Sequence, residues 1–155
     1  IFLVIILPGC LLSMEPLTEA QIQVIKNEIN TAFEQSANTA SQHNAEEIMS
    51  FLWNTDDLVY AANGNLIKGW TNFSEVVNAV HTDPKNQDFR LAFESTYVKV
   101  INRECALVTG KGKLIDLPSE EGPVDNDLTV TFLFEKIDGK WLITAGHEST
   151  PENLF

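Results

Sequence analysis

The sequence predicts a single α+β domain in which three N-terminal helices pack on a strongly curved, mostly antiparallel sheet. Apolar residues recur at helical spacing through the first half of the chain, and from residue 87 onward the period changes to two. The chain has 155 residues, which suits one domain, and 44% of them are hydrophobic, enough to build a core.

Each element has a local reason. Thr18 and Gln21 have the spacing of a capping box, with Leu17 placed to staple onto Ile22. Ile22, Ile25, Ile29, Ala32 and Phe33 then share one face, so the first helix should run to about residues 39–42. Asn44 caps a short second helix whose apolar side is Ile48, Phe51 and Leu52. A third begins near Thr71, turns Phe73, Val76, Val77 and Val80 inward, and stops before Asp83-Pro84. Between the second and third helices, Asn63-Gly64 marks a tight hairpin joining Leu58–Ala62 to Leu66–Lys68. Four long strands follow. Phe89, Leu91, Phe93, Ser95 and Tyr97 alternate in the first, and Cys105 to Leu117 forms the second. Val130, Phe132 and Phe134 alternate in the third; Asp138-Gly139 turns into the last, where Trp141, Ile143, Ala145, His147 and Ser149 share a face. Such a sheet must curl to bury its apolar side, and helices closing it leave a cone-shaped cavity of the kind that takes small molecules.

Residues 1–16 are read apart from the domain, which occupies 17–155. Ile1 to Leu12 is too short to span a bilayer as a helix and fits the apolar region of an export signal, whose first few residues are expected to precede Ile1. Leu7-Pro8-Gly9-Cys10 resembles a lipobox, which makes Cys10 the candidate lipidation site of a periplasmic or outer-surface lipoprotein. The alternative is translation from Met14 and a cytoplasmic protein.

Composition removes several function classes. Ten Lys and Arg against 22 Asp and Glu give a formal charge of −12, which repels phosphate backbones and anionic lipid. No nucleic-acid partner is expected, and membrane contact only through a lipid anchor. Two cysteines exclude a disulfide framework and a multi-cysteine zinc site. His43, His81 and His147 fall on separate elements, so no metal is expected. His147-Glu148 lacks the second histidine of a zinc-protease motif, and Gly110-Lys111-Gly112-Lys113 lacks the Ser or Thr of a phosphate loop, so no cofactor is expected either.

The order of elements resembles the NTF2-like superfamily, in its SnoaL-like and DUF4440-like branch, which shares the ketosteroid-isomerase-like cone. The resemblance is carried by Phe51-Leu52-Trp53-Asn54-Thr55-Asp56-Asp57-Leu58-Val59-Tyr60, by Gly69-Trp70, and by Phe134-Glu135-Lys136-Ile137-Asp138-Gly139-Lys140-Trp141-Leu142-Ile143 followed by His147 and Ser149. It implies a mixed curved sheet, a pocket at the wide end and a homodimer formed through the outer sheet face. Isomerase-like members carry a general-base Asp on the first strand, where this chain reads Tyr60-Ala61-Ala62-Asn63. Where they place an oxyanion-stabilising tyrosine, it has Phe33 and Ala37.

The expected function is therefore an extracytoplasmic pocket for a small apolar or aromatic ligand. Tyr60, Trp70, Phe132 and Trp141 supply aromatic wall, and His147, on the face of Trp141 and Ile143, supplies orientation together with Tyr60. The alternatives are a lyase, isomerase or hydrolase using His147 as acid–base with a pocket carboxylate beside it, and a dimeric interaction module with a vestigial cavity.

Overall fold

The structure, a computed structural model, describes residues 15–151. The candidate lipidation site Cys10 lies outside the described residues. Helix α1 (Glu19–Ser41) is followed by α2 (Ala45–Met49), the hairpin β1 (Val59–Ala62) and β2 (Asn65–Lys68), α3 (Trp70–Thr82), a short 3-10 turn at Pro84–Asn86, and then β3 (Arg90–Asn102), β4 (Cys105–Leu117), β5 (Val124–Ile137) and β6 (Lys140–Ser149).

The helix starts follow from their caps. Gln21 donates its backbone N–H to the Thr18 hydroxyl at 3.3 Å while its side-chain carbonyl accepts from Thr18 at 3.0 Å. Asn44 accepts from the Glu47 amide at 3.1 Å. Ile25, Ile29 and Phe33 are the buried stripe of α1, and Phe73 and Val77 that of α3. Asn63 and Gly64 have φ of 46° and 84°, and Asp138 and Gly139 of 50° and 80°, the left-handed pairs that a two-residue hairpin needs.

One sheet runs in the order β2-β1-β6-β5-β4-β3. All its pairs are antiparallel except β1 with β6, which is parallel. Ahead of β1, Trp53 donates to the Ile143 carbonyl at 3.0 Å and Ile143 to that of Phe51 at 2.8 Å, so the stretch after α2 continues the edge of β6. The helices cover the concave face, and the core lies between: Ile29, Phe33, Leu58, Val108 and Phe134 are its largest fully buried side chains.

Two irregularities decide which side chains line the hollow. In β3, Phe93 pairs with Gly112 but Ser95 pairs with Lys111, so Glu94 is an extra residue. In β6, Ile143 pairs with Phe134 but Ala145 pairs with Leu133, so Thr144 is extra, its hydroxyl donating to the Leu133 carbonyl at 3.5 Å. A bulge of one residue exchanges the faces of everything beyond it. Hence Tyr97, expected inward with Phe93, is 70% exposed, and Val98 is buried instead.

Gly112 shows what the first bulge demands. A Cβ there would run into the Ala92 carbonyl oxygen and lie 2.9 Å from the Phe93 Cα, both backbone atoms that cannot step aside. Gly112→Ala should therefore lower unfolding stability by about 1–3 kcal/mol, measured by urea denaturation. An unchanged midpoint would mean that β3 and β4 do not approach this closely.

Candidate functional site

A cavity of about 610 Å³ fills the hollow between sheet and helices. Its wall is mainly apolar, with Phe33 from α1, Phe73 and Val77 from α3, Leu91 from β3, and Val130 and Phe132 from β5. Leu66, 70% exposed, and Val76 also border it and mark a mouth between β2 and α3. A second hollow of about 410 Å³, a groove between α1 and β3, carries exposed Glu34 and Glu94.

The bulge at Thr144 sets the chemistry of the wall. Gly146 pairs with Phe132 and Glu148 with Val130, whereas His147 pairs with Thr131. Glu148 thus borders the cavity, and His147 stands exposed on the outer sheet face. The expectation that the His147 ring looks into the cone is corrected, because strict alternation from Ile143 takes no account of the extra residue. Trp141 needs a different correction. It shares the face of Ile143 but sits outside the cavity wall, donating its indole N–H to Glu28 of α1 at 2.7 Å beneath the Lys136 ammonium. Trp70 also falls outside the wall; it opens α3, and its indole N–H is buried with no hydrogen-bond partner. Of the residues expected from sequence, Tyr60 and Phe132 line the cavity.

Tyr60 and Glu148 form one polar pair. The Tyr60 hydroxyl donates to Glu148 Oε2 at 2.8 Å, and its ring stacks on Phe73 at 4.3 Å. The ring reaches that far by lying over Gly146, where any Cβ would collide with it. Burial pushes the Glu148 carboxyl above its ordinary range, against the smaller opposing effects of the Tyr60 hydrogen bond and of His147 nearby. Burial and the adjoining carboxyl also hold the Tyr60 phenol well above its usual value, so it stays a donor.

His81 and His43 form the other. His81 ends α3 and borders the cavity; His43, just past α1 with φ of 57°, meets it Nδ1 to Nδ1 at 3.2 Å. The far nitrogen of His43, Nε2, lies 2.8 Å from the Phe89 carbonyl oxygen. Burial, with His43 alongside, lowers the His81 pKa from 6.5 to about 4, so the ring is neutral at neutral pH. Sequence spacing had set these rings apart because they are 38 residues distant. Among the described residues no group of three or more potential ligands is arranged to hold a metal. No helix among them is long and apolar enough to cross a membrane.

The SnoaL-like domain family matches residues 29–153. The chain belongs to that family. Solved structures agree with this SnoaL-like assignment in fold. A scytalone dehydratase-type protein from Novosphingobium aromaticivorans is 13% identical, with a TM-score of 0.73 over 87% of this chain and 89% of its own. A hexachlorocyclohexane dehydrochlorinase from Novosphingobium barchaimii is 15% identical, with a TM-score of 0.71 over 87% and 92%. An NTF2-like protein from Shewanella oneidensis is 21% identical, with a TM-score of 0.67 over 81% and 98%. No curated protein matches the chain.

Glu148 and His81 give stability opposite pH dependence. With its pKa raised, Glu148 holds its proton more tightly in the folded chain, so its contribution is present at acid pH and is lost as pH rises through the raised value. Thermal midpoints of Glu148→Gln should gain on wild type as pH climbs from 4.5, its ordinary value. Parallel curves would contradict its burial. His81, with its pKa lowered, has a contribution present above 6.5 and lost as pH falls toward about 4, so His81→Gln should flatten that acid limb. An acid limb unchanged in that variant would show that the ring is solvated.

Proposed function

We propose that this SnoaL-like domain binds a small, largely apolar molecule inside the cone. The observation that carries the reading is the Tyr60–Glu148 hydrogen bond set into the wall of an otherwise apolar cavity of about 610 Å³. Burying a carboxyl against an apolar hollow costs free energy, and one hydrogen bond offsets only part of that cost. A bound molecule presenting a polar group at that end would supply further partners, while the aromatic wall supplies burial.

A lyase reading has its own support. The same wall carries a carboxyl held toward its protonated form and an imidazole held neutral, the two states that acid-assisted elimination uses. Fold neighbours include proteins described as a dehydratase and a dehydrochlorinase, and here the acid–base pair would be Glu148 and His81 rather than His147. Chloride release from a chlorinated cyclohexane and alkene absorbance from a β-hydroxyketone test it; no turnover of either would leave the binding reading alone.

Binding is checked with 2-naphthol by isothermal titration calorimetry. Wild type should bind it saturably at one site, and Val77→Trp, which places an indole in the cavity, should abolish binding while the chain remains folded. Absence of saturable binding to wild type, or undiminished binding to the filled variant, would overturn the proposal.

A further inference from the structure

We propose that His43 fixes the tautomer of His81, leaving His81 Nε2 as a bare acceptor that selects ligands carrying an O–H or N–H group on an apolar skeleton. The ligand half of this inference rests on the cavity reading above. The tautomer half does not.

The Phe89 backbone carbonyl can only accept, and His43 Nε2 lies 2.8 Å from it, so Nε2 of His43 carries the proton. A neutral imidazole has one N–H, so Nδ1 of His43 is then a lone pair. That lone pair is 3.2 Å from His81 Nδ1, which must therefore be the donor. The opposite assignment would set two lone pairs against each other at one contact or the other. His81 thus carries its proton on Nδ1, the minor form of a histidine in water, and its Nε2 is left without one.

The surroundings hold this arrangement still. The Phe89 ring packs edge-on against His43 at 4.6 Å between centroids and lies 5.6 Å from His81. Gln87 donates to the His81 carbonyl at 2.9 Å, tying the end of α3 to the turn that follows it. His81 borders the cavity, and of its two ring nitrogens only Nδ1 has a hydrogen-bond partner among the described residues. An acceptor-only nitrogen beside an apolar hollow discriminates by chemistry. A ligand hydroxyl satisfies it, while a methyl in the same place leaves it unpaired. His43 touches no cavity atom in this scheme and is a positioning residue.

Side-chain nitrogen NMR of the histidines in the full chain at neutral pH reads the tautomer without any ligand. His81 should be the Nδ1–H form in wild type and revert to the Nε2–H form in His43→Phe. His43→Gln should restore it, since that amide can donate to the Phe89 carbonyl and accept from His81. An Nε2–H His81 in wild type would overturn the proposal whether or not the variants fold. Calorimetry with 2-naphthol and 2-methylnaphthalene tests the second half. Wild type should prefer the naphthol by about ten-fold, the size of one buried hydrogen bond, and His81→Phe should lose that preference. A preference unchanged in His81→Phe would overturn the selecting role. If neither compound binds wild type, the cavity reading and the selecting role fall together, and the ligand-free tautomer still decides the role of His43.

Discussion

The extra residue at Thr144 is the constraint on which the site depends. Upstream of it, the Asp138-Gly139 turn fixes the pairing of β6 with β5, and Ile143 faces Phe134 in the core. Without the bulge that register would carry His147 opposite Val130. With it, Glu148 takes that place, beside the Tyr60 strand, where Ala62 is its parallel neighbour. A single added residue exchanges a solvated imidazole for a buried carboxyl, and so changes what the cavity can recognise.

Around that constraint the remaining features are consistent with one another. Gly146 has no side chain, so the Tyr60 ring can cross it and reach the carboxyl. Phe73 stacks on the other side of that ring and ties the pair to α3. The same helix delivers His81 at its last turn, where the chain leaving α1 delivers His43. The sheet contributes one polar pair and the helices the other, with apolar side chains between them. Such an arrangement suits a ligand with an apolar body and polar ends.

Elements governed by local rules were legible in the sequence. Caps at Thr18 and Asn44, the turns at Asn63-Gly64 and Asp138-Gly139, and the apolar stripe of α1 depend on neighbours within a few residues, and each stands where the pattern placed it. The site was less legible because it depends on two bulges and on a contact between distant segments. Period-two reading holds through Phe93 in β3 and through Ile143 in β6, then reverses. A signal did exist: Gly112 and Gly146 interrupt strand patterns, and a glycine inside a strand often marks a close approach or a bulge. Nothing in the spacing of His43 and His81 announces their contact, which arises only where the chain leaving α1 meets the last turn of α3 and the Phe89 carbonyl just before β3.

Thiol accessibility separates the two faces of β6 directly. In a Cys10→Ser, Cys105→Ser background, cysteine is placed at position 147 or at 148 and challenged with a bulky maleimide, with and without 2-naphthol. The thiol at 147 should react quickly and ignore the naphthol; the thiol at 148 should react slowly and be protected further by it. Fast labelling at 148 together with protection at 147 would show that the last strand carries no bulge and that the imidazole, not the carboxyl, faces the cone.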